Sequence, residues 1–178
     1  MSKATIVIDM LNGFTKTGNL KSSHIQKIIP NIKNHLEKLD ADEDILFVND
    51  AHSESDLEMQ QYPIHCLKNT YESEIVEELQ PFASDAKIYY KNTTNAFFDI
   101  PLNDLSKYKS ISVVGCCTDI CVLQFVLTLK TFFNKINSEQ EITVLKDCTA
   151  TFDSESHPQE VFHDLALKLM QNAGVKIQ

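Results

Sequence analysis

The chain has 178 residues and a formal net charge of −9 at pH 7, which argues against a large basic surface for nucleic acid. A hydrophobic fraction of 43% and a charged fraction of 23% suit a soluble globular chain of one domain, 1–178, and the first residues lack the apolar stretch of a signal peptide, so a cytoplasmic protein without a membrane span is expected. Five cysteines, two of them adjacent at Cys116 and Cys117, argue for reduced thiols rather than a disulfide framework.

Ala4 to Asp9 is an apolar run ending in a carboxylate and reads as a central parallel strand with Asp9 at its C-terminal end. Asn12 to Lys21 reads as loop. Ser23 caps a predicted helix running to about Leu39, with Pro30 weakening or kinking it. Asp44 to Asn49 is the second strand, with Asp50-Ala51-His52 just past its end, and Ser53 to Lys68 is polar and irregular. Glu72 to Leu79 reads as a short helix stopped by Pro81. Ala86 to Tyr90 is a third strand ending at Lys91, Asn92 to Pro101 is loop, and Leu102 to Tyr108 is a short helix.

Ile111 to Val114 is the fourth strand, and Gly115 turns the chain. Thr118 and Asp119 suit a helix start, and the helix runs to about Phe133. Cys121 falls in its first turn, where the free N–H groups and the helix dipole favour a thiolate of lowered pKa. Glu141 to Leu145 is the fifth strand, with Asp147-Cys148-Thr149 at its end. His157-Pro158 opens a last helix to about Asn172, and Val175 to Ile177 reads as an edge strand. Strands alternating with helices imply an α/β fold: a parallel sheet with helices on both faces. No G-x-G-x-x-G or G-x-x-x-x-G-K-[ST] is present, so neither phosphate-cradling loop is available.

Two constellations carry chemistry. Asp9, Lys91 and Cys121 each lie at or just past a strand's C-terminal end, where open α/β sheets place their ligands. A carboxylate that takes the thiol proton beside a lysine makes an activated nucleophile. The backbone N–H groups of Cys117 and Cys121 are candidates for an oxyanion hole. The same three residues also read as a helix cap, a solvated charge and a buried thiol. Asp50 and His52, with His65 and Glu58 in the following loop, offer mixed oxygen and imidazole ligands that suit zinc, manganese or iron. They equally read as polar groups of a surface loop. The cysteines at 116, 117 and 121 lack the usual metal and thioredoxin spacings. His24, His35, His157 and His163 read as surface or helix-terminal residues. Phe14, Tyr62, Phe97 and Phe98 lie in loops near the expected cleft, where a flat aromatic substrate would want them.

The run Val114-Gly115-Cys116-Cys117-Thr118-Asp119-Ile120-Cys121-Val122 resembles the nucleophile motif of the isochorismatase-like cysteine hydrolases. Ile6-Val7-Ile8-Asp9-Met10 followed by Phe14 resembles that family's opening strand. Lys91 followed by Asn95-Ala96-Phe97 resembles its lysine loop, where serine is commoner than Asn95. Asp50-x-His52 and the segment Tyr62 to Thr70 resemble the metal segment of the nicotinamidase branch, with Asn69 where glycine is usual.

The resemblance implies a three-layer Rossmann-like fold with a six-stranded parallel sheet of order 3-2-1-4-5-6 flanked by helices, and a cis peptide between Cys116 and Cys117. It implies catalysis by Asp9, Lys91 and Cys121, and one divalent metal on Asp50, His52, His65 and Glu58. Zinc is the first expectation. Phe14, Tyr62 and Phe97 would pack on a substrate ring. The implied reaction is hydrolysis of nicotinamide, and of pyrazinamide, through a thioester, in NAD salvage. Other amides or ureides, or a binding protein without activity, stay open, as does self-association into a homo-oligomer.

Overall fold

The computed structural model describes residues 2–178. The strands are β1 (Lys3–Ile8), β2 (Asp44–Asp50), β3 (Lys87–Lys91), β4 (Ser110–Cys116), β5 (Glu141–Ala150) and β6 (Lys176–Ile177). They form one six-stranded sheet in the order β3-β2-β1-β4-β5-β6, and every pairing is parallel. The helices are α1 (Asn12–Thr15), α2 (Ser23–Lys27), α3 (Ile29–Leu36), α4 (Gln80–Ala83), α5 (Leu102–Ser106), α6 (Leu123–Lys135) and α7 (Gln159–Asn172). Among the described residues, no helix is long and apolar enough to cross a membrane.

The pleat explains the two cores. Successive side chains on a strand point to opposite faces. Ile6 and Ile8 therefore join Leu46, Val48, Val113 and Val144 beneath α6 and α7, where Phe125, Leu129, Phe133 and Met170 are buried. Val7 joins Phe47 and Val114 on the other face, beneath Ile25 of α2 and Ile32 and Leu36 of α3. Both faces of the central strands are covered, which is why those strands read as unbroken apolar runs.

Register carries the site. Ile8 lies beside Val48 and Gly115, and Asp50 lies beside Lys91, so the ends of β1, β2, β3 and β4 meet at one level. Gly115 has φ +116°, and a Cβ there would sit 2.0 Å from the Ile8 carbonyl oxygen. Only glycine allows β4 to approach β1 this closely. The β4–β5 register shifts between Val113 and Gly115, so that Gly115 faces Thr149.

Several elements differ from the sequence expectation. The helix expected over Ser23 to Leu39 is two helices that meet at Ile28, with Pro30 in the first turn of α3. Proline lacks the N–H that an interior helical position needs, but a first turn does not need it. Glu72 to Leu79 is not a helix. Tyr71–Ser73 is a 3₁₀ turn, after which the chain pairs with residues 10–12: the Asn12 N–H donates to the Glu74 carbonyl at 3.0 Å, and the Val76 N–H to the Met10 carbonyl at 3.1 Å. Pro81 starts α4 rather than stopping a helix. Phe14 lies in α1 rather than in loop, and β5 runs on to Ala150, so Asp147-Cys148-Thr149 lie within it.

Candidate active site

The sheet brings Asp9, Lys91 and Cys121 together. Asp9 follows β1 with φ 53°, a left-handed conformation that aspartate tolerates better than most residues. Its Oδ1 accepts the Asp50 N–H at 2.9 Å. Lys91 ends β3 with its side chain fully buried, and its Nζ lies 2.8 Å from Asp9 Oδ2, donates to Asp50 Oδ1, and stands 3.8 Å from Cys121 Sγ. Cys121 sits in a single π turn, Thr118–Val122, that leads into α6. The peptide between Cys116 and Cys117 is cis, as the resemblance implies.

Burial governs the electrostatics. It raises the Asp9 carboxyl, helped by the Asp50 charge and opposed by Lys91, to about 6. Burial also pushes Asp50 up, but Lys91 and the two histidines outweigh it and hold that carboxyl well below its ordinary range. Lys91 is kept charged against its burial by Asp50, Asp9 and Cys121. The expectation of a lowered Cys121 pKa is not met. Burial drives this thiol well above its ordinary value, and Lys91 offsets only part of that. Burial thus favours the thiol form, from which a base has to take the proton.

Asp50, His52 and His65 form the second cluster, all three buried, with one ligand atom from each lying within 4.8 Å of the others. His65 Nδ1 is 2.7 Å from the Pro63 carbonyl oxygen, and His52 Nδ1 is 3.3 Å from Asp56 Oδ2. With Nδ1 facing an acceptor, each ring presents Nε2 to Asp50, at 3.6 Å for His52 and 3.5 Å for His65. A metal-binding histidine is commonly held in this way. His52 Nε2 is buried without a hydrogen-bond partner, which a bound cation would supply. The cluster also has more carboxylate than cation, with Asp9, Asp50 and Glu58 around Lys91. The residues therefore fit a divalent metal.

Glu58 lies on the 3₁₀ turn Leu57–Gln60, with Oε1 3.8 Å from His52 Nε2 and Oε2 accepting the Thr94 N–H at 2.9 Å. Asn69 has φ 62°, so asparagine stands there in the left-handed conformation that the usual glycine would adopt.

Both clusters open on a cavity of about 560 Å³, whose lining includes Asp50, Glu58, His65, Cys117 and Cys121. Phe14 and Tyr62 also line it, and the Phe14 ring centroid is 5.6 Å from that of His65. Phe97 does not line it. Asn95 caps the turn Ala96–Phe98 by accepting the Phe97 N–H at 3.1 Å, and Phe97 packs on Phe132 of α6 with ring centroids 5.5 Å apart. Phe98 is 75% exposed.

Sequence reasoning missed Asp56 and Thr94, which orient other side chains rather than carrying chemistry. A polar residue four positions after His52 was the only sign of Asp56. It also missed Phe152 and Ile120, apolar residues that line the cavity.

Nicotinamidase 1 of Arabidopsis thaliana is 28% identical over 208 residues, covering 99% of this chain and 85% of that protein. The pyrazinamidase/nicotinamidase structure from Streptococcus mutans superposes with a TM-score of 0.83 at 24% identity, covering 99% of this chain and 100% of that one. The pyrazinamidase of Pyrococcus horikoshii, solved in complex with zinc, gives a TM-score of 0.79 at 24% identity over 100% of this chain and 99% of that one. At these identities the structural likeness is one of fold. The isochorismatase domain matches residues 3–178. By that match, which spans nearly its whole length, the chain belongs to the isochorismatase domain family.

Proposed function

We propose that the protein is a metal-dependent cysteine amidohydrolase that converts nicotinamide to nicotinate and ammonia. One observation carries this reading: Cys121, buried beside Lys91 and Asp9, lines one cavity together with Asp50 and His65 of the Asp50, His52 and His65 cluster. The likeness to Nicotinamidase 1 supports the substrate. The zinc in the Pyrococcus horikoshii pyrazinamidase structure supports the metal class.

Asp50, His52 and His65, with Glu58 in reach, would hold a divalent cation, zinc being the first choice for this donor set. When bound, that cation supplies a Lewis-acid contact for a ring nitrogen. Phe14 and Tyr62 pack on the ring. Asp9, its carboxyl raised to about 6, is largely ionised at neutral pH and takes the Cys121 proton. The thiolate attacks the carboxamide carbon, and the N–H groups of Cys117 and Cys121 hold the oxyanion. Asp9 returns its proton to the departing nitrogen, and ammonia leaves a thioester on Cys121. Asp9 then takes a proton from water, whose oxygen attacks the thioester, and returns that proton to the departing Cys121 sulfur, which leaves as the thiol while the acid product ionises to nicotinate in solvent. Lys91 stays charged throughout and holds Asp9 in place. Pyrazinamide presents the same carboxamide and ring nitrogen. A role in NAD salvage follows from the substrate.

The test is ammonia release from nicotinamide by the purified protein, before and after chelation and after metal is restored. Release that is lost on chelation and regained with metal is expected. Release that survives complete metal removal would overturn the metal role. No release, with Cys121 still alkylated by iodoacetamide, would overturn nicotinamide as substrate.

A further inference from the structure

His157 is held on four sides. Its ring lies between Phe152, at a centroid distance of 3.9 Å and an interplanar angle of 9°, and Phe162, at 3.8 Å and 26°. Its Nε2 is 2.7 Å from Asp119 Oδ2, and its Nδ1 is 3.1 Å from the Phe152 carbonyl oxygen. Only 12% of the side chain is exposed, so of the two readings, surface or helix-terminal, His157 takes the second, just before α7. The loop around it is closed by its own backbone: Ser154 and His157 exchange two N–H···O bonds, each 3.1 Å. Asp153 Oδ1 accepts the Gln159 N–H at 2.9 Å where α7 begins.

Both ends of this arrangement reach the cavity. Phe152 and Asp153 line it. Asp119 belongs to the Thr118–Val122 turn that carries Cys121, and Ile120 of that turn also lines the cavity. A second link ties the turn to α7, with Thr118 Oγ1 2.9 Å from His163 Nδ1. The imidazole is thus a spacer between Phe152 and Phe162 of α7, tied at its edge to the nucleophile turn through Asp119. A flat ring between two flat rings fixes their separation, and its polar edge fixes its own position.

We propose that His157 is a positioning residue that holds Phe152 as a wall of the cavity and so limits the size of the amide that reaches Cys121. It selects flat, compact heteroaromatic carboxamides over those with bulky ring substituents. It touches neither substrate nor metal and takes no part in proton transfer. The substrate part of this proposal rests on the carboxamide reading above, but the wall itself does not.

The test therefore uses the nucleophile as its own probe. Rates of Cys121 modification by iodoacetamide, a small reagent, and N-phenylmaleimide, a bulky one, are measured by peptide mass spectrometry in the full chain and in His157→Ala. Loss of the spacer should raise the bulky-to-small ratio several-fold, while circular dichroism stays native. KM for nicotinamide should rise about tenfold, with kcat held within about twofold. A loosened fold would speed both reagents and leave their ratio unchanged, and an unchanged ratio overturns the proposal. A fall in kcat at constant KM overturns it as well. If His157→Ala does not fold, His157→Gln keeps a hydrogen-bonding group toward Asp119 without the aromatic ring, and the same ratio decides. If the unmodified protein does not turn over nicotinamide, the substrate reading fails and the ratio still tests the wall.

Discussion

The two clusters are built by different means. Asp9 and Lys91 sit at or just past strand ends, and Cys121 lies in the turn that directly follows β4, so the sheet register and that turn bring them together. His52, Glu58 and His65 lie in a stretch without regular strands. There, single hydrogen-bond partners aim each side chain: Asp56 Oδ2 faces His52 Nδ1, the Thr94 N–H donates to Glu58, and the Pro63 carbonyl oxygen faces His65 Nδ1. A register-built cluster cannot be moved without moving the fold. A hydrogen-bond-built cluster can be loosened while the fold stays intact.

Four substitutions break that contrast or sharpen it. Cys121→Ala should lower turnover at least about 10⁴-fold with an unchanged melting profile, because it removes the nucleophile and little volume. Steady-state ammonia release checks it, and retained turnover would sink the thioester route. Lys91→Met should destabilise by about 3–5 kcal/mol, since Asp9 and Asp50 would then be buried without their shared cation. Urea unfolding reads this, and a stability near wild type would show that the carboxylates find another partner. His65→Ala should lower metal affinity by more than about a hundredfold and activity with it, while leaving thermal stability of the metal-free protein nearly unchanged. Competition with a chromogenic chelator measures the affinity. Asp56→Ala should have the smallest effect, about tenfold to a hundredfold in metal affinity, because His52 stays but its ring is no longer aimed. If Asp56→Ala unfolds the protein, the loop is part of the fold and the contrast fails.

This difference also decides what could be read from the residues alone. Ile6-Val7-Ile8-Asp9 announces a buried strand and its end, because burial on both faces demands an unbroken apolar run. The glycine at 115 announces a turn, whereas the close approach of β4 to β1 that it permits shows only in the folded chain. Nothing local announces that Glu74 to Val76 pairs with the chain at residues 10–12, so its helix-like composition misleads. Phe97 misleads for a similar reason: its ring packs on Phe132 of α6, a contact that its spacing after Lys91 does not announce. The thiol of Cys121 shows the reverse error. The helix-start argument is correct as far as it goes, but burial is the larger effect and sets the direction. The sequence shows His157 only as a helix-terminal residue, because its partners lie near and far along the chain, at Asp119, Phe152 and Phe162, and only the folded chain stacks them.

The sheet order leaves β3 and β6 at the outer edges. A free strand edge is a template onto which another chain can add, and it is a common route to aggregation. Here β6 is only two residues long, and its Lys176 pairs with Glu141. β3 begins with Lys87, paired to Asp104, and ends with Lys91, whose ammonium is turned inward. Short length and lysine at the rims blunt both edges against strand addition. The lysine held between two carboxylates for chemistry thus ends one of the edges at risk, and its loss should show in concentrated solution as sedimenting material as well as in lost activity.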